Sequence, residues 1–265
     1  MNNLSLLIVE GNIKKDTEIF IKAAGASASD NLKKLLLKLE PSVVIEVIHP
    51  GNEIEVKSSL DKINSYNGII FTGGAMRIND QTDEIKKHIN FASECFNHNK
   101  KILAICWGLQ VCATAAGGAV SLGKKGAHLG IASNVEINDI GKEHPLYKDK
   151  KIFFNTPAFN FDEVSKIPSN SKILSSNEIN NVMGINFHVK SSEVWGLQYH
   201  PDYYYDQTIN LTNLRKNKLL ENNHFNNEND FADHILYIKK EEKKLVLEDR
   251  SREIINWLDY IKKNN

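Results

Sequence analysis

Cys106 stands where an apolar, strand-like run (KILAICWG, 101–108) passes into a helix-like one. A sharp strand-to-helix turn pushes the side chain at its apex into the open, at the carboxyl edge of the sheet where α/β ligand sites lie. The helix N-terminus beyond it favours the thiolate over the thiol. Such a turn is crowded. Gly108 two positions on meets that demand, while Ala104 two before is small without being glycine. A second run, EVWGLQYHPDYY (193–204), delivers His200 to a strand end with Asp202 two residues later. An imidazole with a carboxylate that close forms a base and its orienter. A third, FTGGA (71–75), ends another strand in a Gly-Gly turn whose backbone N–H groups, with the N–H that follows the cysteine, could hold an oxyanion. Singly, each has a plainer reading. A free cysteine is usually a small buried hydrophobe, the reading that suits Cys95 and Cys112. Together they describe acyl transfer by a thiolate.

Parallel strands with covering helices would bring these turns to one edge. LSLLIVE (4–10), VVIEVIHP (43–50), GIIFTGG (68–74) and the run before Cys106 read as buried strands. DNLKKLLLKLE (30–40) and TDEIKKHINFASECFNHN (82–99) carry helical spacing, with Asp30 and Thr82 as expected N-caps and Pro41 as a stop. Alternation of this kind implies a parallel sheet. After residue 130 the runs become short and strand-like between turn residues, which predicts an antiparallel extension. From about 206 the chain is charged and helical, broken at ENNHFNNEND (221–230). It carries an apolar stripe of Ile254, Ile255, Trp257, Leu258 and Ile261. The expected architecture is α/β: a flavodoxin-like open, mostly parallel sheet with helices on both faces, an antiparallel extension and a helical C-terminal appendage. The expected division is a domain over 1–205 and the appendage over 206–265, packed on it.

Composition narrows the function. Lys plus Arg equals Asp plus Glu at 33 each, which gives no support for nucleic-acid or anionic-membrane partners. Three cysteines without CxxC spacing argue against a disulfide framework or zinc site and for a reducing compartment. The N-terminal apolar run lacks a basic flank and is too short for a signal peptide or a membrane span. The expectation is a cytoplasmic protein.

FTGG, CWGLQ with AAGG closing its helix, HPLYKD (144–149), DEVSKIP (162–168) and WGLQYHPDYY follow one another in an order that resembles the class I, triad-type glutamine amidotransferases. The likeness is closest to the stand-alone group similar to the GMP synthase amidotransferase domain. It implies Cys106 as nucleophile, His200 as general base and acid, and Asp202 where the family usually has glutamate. The oxyanion donors would be the N–H groups of Gly74 and Trp107. Gln110 and Gly73 would contact substrate, Gln110 holding its α-amino and carboxylate groups. The implied reaction turns L-glutamine into glutamate and ammonia without metal or cofactor. The chain lacks an S-G-G-x-D-S or G-x-x-x-x-G-K-[ST] loop, so a separate synthase subunit could accept the ammonia. Alternatives are a γ-glutamyl amide or peptide hydrolase with the same triad, and a catalytically silent regulatory subunit. IVEGN (8–12) and AAGASASDNLKKLL (23–36) also match the group, without an assigned role. NTPAFNF (155–161) lacks the histidine that relatives often carry there.

Overall fold

A computed structural model describes residues 3–264. The first half alternates β1 (Ser5–Val9), α1 (Lys14–Ala24), α2 (Ala28–Leu39), β2 (Val44–Ile48), α3 (Glu53–Asp61), β3 (Gly68–Phe71), α4 (Asp83–Cys95), β4 (Lys101–Ile105) and α5 (Trp107–Ala115). The middle holds β5 (Ala119–Leu122), β6 (His128–Ile137), α6 (Asp139–Lys142), β7 (Phe153–Asn160), β8 (Asp162–Lys166), β9 (Ser171–Ser176), β10 (Gly184–Val189) and β11 (Ser192–Leu197). The end is helical: α7 (Tyr205–Leu214), α8 (Lys216–Glu221), α9 (Glu228–Glu242), α10 (Leu247–Arg250) and α11 (Arg252–Lys263).

Nine strands form one sheet in the order β2-β1-β3-β4-β11-β10-β9-β6-β7, and β5 pairs with β8 beside it. The pairs from β2 to β11 are parallel, and those from β11 to β7 antiparallel. This is the open, mostly parallel α/β sheet with an antiparallel extension that the sequence predicts. Proline at 157 is tolerated because β7 is the sheet's edge.

Side-chain alternation divides the core into two faces. Leu6, Ile8, Ile70, Leu103 and Ile105 point one way, against Leu32 and Leu36 of α2 and Ile254, Trp257 and Ile261 of α11. Leu7, Val9, Ile69, Phe71 and Ala104 point the other way, against α4 and α5. A third cluster joins Leu129 and Ile131 of β6 to Ile209 of α7 and Ile235 of α9.

Two local expectations change. Ser27, not Asp30, caps α2; its hydroxyl accepts from the Asp30 N–H at 3.0 Å, so Asp30 already lies inside the first turn. The stripe of the last helix buries Ile254, Trp257, Leu258 and Ile261, while Ile255 turns partly outward. Thr82 does cap α4, accepting from the Ile85 N–H at 3.4 Å.

Trp257 lies against β3. A Cβ on Gly68 would come within 2.6 Å of the indole Cη2, so the missing side chain at 68 makes room for the ring. Trp257→Ala is expected to destabilise the fold by about 3–5 kcal/mol through lost burial and a residual cavity. Urea unfolding measures this, and a loss under about 1 kcal/mol would show that α11 contributes little to the sheet.

Candidate active site

Four loops at the carboxyl edge of the parallel strands converge. The loop after β1 brings Glu10 to Asn12, that after β3 brings Gly73 to Ala75, that after β4 brings Cys106, and that after β11 brings His200 to Tyr203.

Cys106 is the N-cap of α5, at φ 50 and ψ −108. For a residue with a Cβ this backbone costs on the order of 1–3 kcal/mol and persists only where its surroundings enforce it. Those surroundings are visible. Its N–H donates to Leu197 O at 2.6 Å, and its carbonyl accepts the first helical bond from Gln110 N at 3.2 Å. A Cβ on Gly108 would strike Phe71 O at 2.5 Å, so the helix starts there only with glycine. The sulfur lies 3.9 Å from Phe159 O and 3.7 Å from Gln198 Nε2, and the residue is 4% exposed. The other thiols differ. Cys95 and Cys112 are fully buried among apolar side chains, and burial pushes both up in pKa.

His200 and Asp202 are as enclosed as Cys106. His200 Nδ1 is 3.2 Å from Asp202 Oδ1, so the aspartate spans the gap despite being one methylene shorter than glutamate. Proline supplies the anchor: the His200 N–H donates to Pro157 O at 2.8 Å. Tyr203 stacks on the imidazole at 3.9 Å between centroids with 12° between planes, and Phe20 of α1 packs on Tyr203 at 5.5 Å. Cys106 and His200 line one cavity with Gly74.

Burial on its own would lower the His200 pKa. The charge at Cys106 and the Asp202 carboxylate outweigh it and raise the value to about 10. The cation is therefore favoured across neutral pH, as an imidazolium beside Cys106 and Asp202. The sign for stability follows. A histidine raised from 6.5 contributes stabilisation that is complete below pH 6.5 and is lost as pH climbs toward 10. The gap in Tm between wild type and His200→Gln should be widest near pH 6 and shrink by about pH 10; a constant gap would contradict a charged His200 in the folded protein.

The Gly-Gly turn is wedged in place. The Gly11 N–H donates to Thr72 Oγ1 at 2.8 Å, and the Ala75 N–H to Asn12 Oδ1 at 2.9 Å. Glu10, fully buried, accepts from the N–H groups of Asn12 and Ser29 at 3.0 and 2.8 Å. A Cβ on Gly74 would meet Gly11 O at 2.6 Å and Trp107 Cε3 at 3.3 Å. IVEGN thus acquires a role that its residues alone did not reveal: it holds the turn that carries Gly73 and Gly74.

Gln110 lines a cavity of about 470 Å³ that also reaches Gly74, Cys106 and Trp107. Its Nε2 donates to Asp162 O at 3.0 Å and toward Gln198 Oε1 at 3.4 Å. Gln198 and Tyr203 acquire no role from the sequence, although both lie in WGLQYHPDYY. Arg215, between α7 and α8, also lines this cavity, and nothing in the sequence pointed to it. Among the described residues, no cluster of three His, Cys, Asp or Glu side chains is arranged to hold a metal ion. Nor is any helix among them long and apolar enough to cross a membrane.

Known proteins resemble this chain in fold and in sequence. A crystal structure of a glutamine amidotransferase from Thermotoga maritima superposes with a TM-score of 0.70 at 15% identity, covering 98% of this chain and 99% of that one. That likeness bears on the fold. In sequence, the chain is 27% identical over 205 residues to the γ-glutamyl-L-1-hydroxyisopropylamide hydrolase of a Pseudomonas species, covering 76% of this chain and 68% of the relative. It is 33% identical over 135 residues to one subunit of the glutamine-hydrolysing GMP synthase of Methanocaldococcus jannaschii, covering 51% of this chain and 64% of that polypeptide. Residues 21–219 match the family described as glutamine amidotransferase class-I. With that match spanning most of its length and the cysteine turn falling inside it, the chain belongs to the class I glutamine amidotransferase family.

Proposed function

We propose that this chain hydrolyses γ-glutamyl C–N bonds through a thioester on Cys106, with glutamine as the parent substrate. The observation that carries the proposal is the strained Cys106 at the N-terminus of α5, opening on the cavity that His200 also lines. The thiolate attacks the γ-carbonyl carbon, forming a C–S bond while charge moves to the oxygen. The backbone N–H groups of Gly74 and Trp107 stabilise that oxyanion; one such donor is typically worth about 3 kcal/mol. The imidazolium of His200 gives its proton to the departing nitrogen as the C–N bond breaks. Water then adds to the thioester, its proton passing to His200, and the C–S bond breaks to release glutamate. Asp202 holds the ring through both steps. With its Nε2 bound to Asp162 O, Gln110 offers its carbonyl oxygen, which suits the substrate's α-ammonium rather than its carboxylate.

Two observations favour amides larger than glutamine as a second reading. The cavity of about 470 Å³ exceeds what a single amino-acid side chain fills and lies within the range of pockets for larger ligands. The Pseudomonas relative is named for such an amide. For glutamine itself, likeness to a GMP synthase component that is a separate polypeptide supports passage of ammonia to a synthase partner.

The test is release of ammonia or amine, with equimolar glutamate, by the isolated chain. Labelling of Cys106 by an electrophilic glutamine analogue accompanies it. Neither turnover nor labelling, alone or with a synthase partner, would leave a silent regulatory protein instead.

A further inference from the structure

Arg215 is a cation without a fixed partner at the edge of the reactive cysteine's cavity. Its guanidinium lies over the Phe159 ring, 4.7 Å from the centroid, and forms no ion pair or side-chain hydrogen bond among the described residues. It is half-buried, and burial pulls its pKa below the ordinary value, with Asp16 and Tyr203 opposing. Arg77 on the same wall shows the contrast: Asp162 takes it bidentately at 2.8 and 2.5 Å. A partly desolvated guanidinium left open toward a cavity costs solvation that a bound anion restores.

The geometry also says which part of a substrate meets it. The nitrogen that leaves must face His200, its proton donor. The space at His200 is about 40 Å³ and is shared by Cys106, Phe20, Tyr203, Leu211 and Arg215, without Gln110. It holds the nitrogen and little more. A substituent on that nitrogen has to turn past Arg215 into the larger cavity, where Lys218 and Asn222 of the α8 segment continue the wall. The glutamyl part lies toward Gln110. We infer that Arg215 binds a carboxylate on the leaving amine, so that the C-terminal helices select γ-glutamyl amino acids or γ-glutamyl peptides over neutral γ-glutamyl amides.

This assignment rests on the γ-glutamyl hydrolase reading, and the experiment separates the two. The full chain and its Arg215→Gln, Arg215→Lys and Arg215→Glu variants are assayed with γ-glutamylglycine, with neutral γ-glutamylethylamide and with glutamine. Wild type should prefer γ-glutamylglycine in kcat/KM over the ethylamide. Arg215→Gln should reduce that preference about 10–100-fold, the worth of one charge-assisted contact, mainly through KM. Arg215→Lys should retain part of the preference. Arg215→Glu should invert it, so that the neutral ethylamide becomes the better substrate. A wild-type enzyme that hydrolyses the ethylamide or glutamine without that preference, or a ratio that Arg215→Gln leaves unchanged, overturns the role of Arg215 alone. A wild-type chain that hydrolyses none of the three, alone or with a synthase partner, overturns γ-glutamyl hydrolysis and this assignment with it.

Discussion

Alanine at Cys106 is expected to reduce turnover of glutamine and other γ-glutamyl amides by about 10⁴–10⁶-fold, the usual cost of removing a nucleophile that acts as a unit with its base. No second thiol can stand in. Cys95 and Cys112 lie on the buried faces of α4 and α5, where burial holds them as neutral thiols. Substrate affinity should survive, since Gln110 and the backbone N–H groups of Gly74 and Trp107 are left in place by the substitution. Kinetics with ammonia detection, together with substrate binding by calorimetry, separates the two effects. Residual turnover within about tenfold of wild type would show that the bond is broken by direct attack of water.

Gly73→Ala is the second large effect, and it comes from the imidazole rather than the backbone. A Cβ at 73 would lie 2.5 Å from His200 Cε1 and 3.3 Å from Nε2. The ring cannot retreat easily, because Tyr203 is stacked on its face and Asp202 holds its far nitrogen. The methyl group must therefore shift the imidazole by an ångström or so relative to the cysteine. Displacements of that size cost about 10²-fold in rate. The expected result is kcat lower by about 10²–10³-fold with Tm within a few degrees of wild type. A mutant with near-normal kcat would mean that His200 works from a position other than the one it occupies at rest.

The turns that converge at the cavity could be read from the sequence because each is local. Cys106 with Gly108, His200 with Asp202, and Gly73 with Gly74 are spaced by the demands of one turn. The strands that carry them are apolar runs bounded by turn residues. What escaped the sequence lacks such a signature. Helix α1 has no side-chain cap at Ile13, and Ile19 and Ile21 are 40% and 42% exposed, so it shows no clean apolar stripe. Its Phe20 reaches Tyr203 all the same. In α3, Ile54 is 83% exposed and Ser59 is buried, the reverse of an amphipathic pattern. Gln198 sits in a recognised motif, yet only the register of β11 beside β4 turns its amide toward the Cys106 sulfur. Arg215 belongs to a charged tail whose composition reads as a solvated surface. Only tertiary packing of α7 on β6 brings it over Phe159.

The placement of the last helices has a consequence for how the protein is made. Trp257 closes one face of the central sheet, and Arg215 and Leu219 close the rim of the cavity. The thiol is translated well before either. At ordinary elongation rates the ribosome needs on the order of several seconds more to finish the stretch from His200 to the end of α11. During that interval a nascent chain carries Cys106 and His200 without the rim of the cavity or the helix that packs on one face of the sheet. Both faces of the sheet are therefore covered only once α11 has emerged and docked, and a chain cut short before that helix leaves Ile70 and Leu103 without the side chains of Ile254, Trp257 and Ile261 that belong to their cluster.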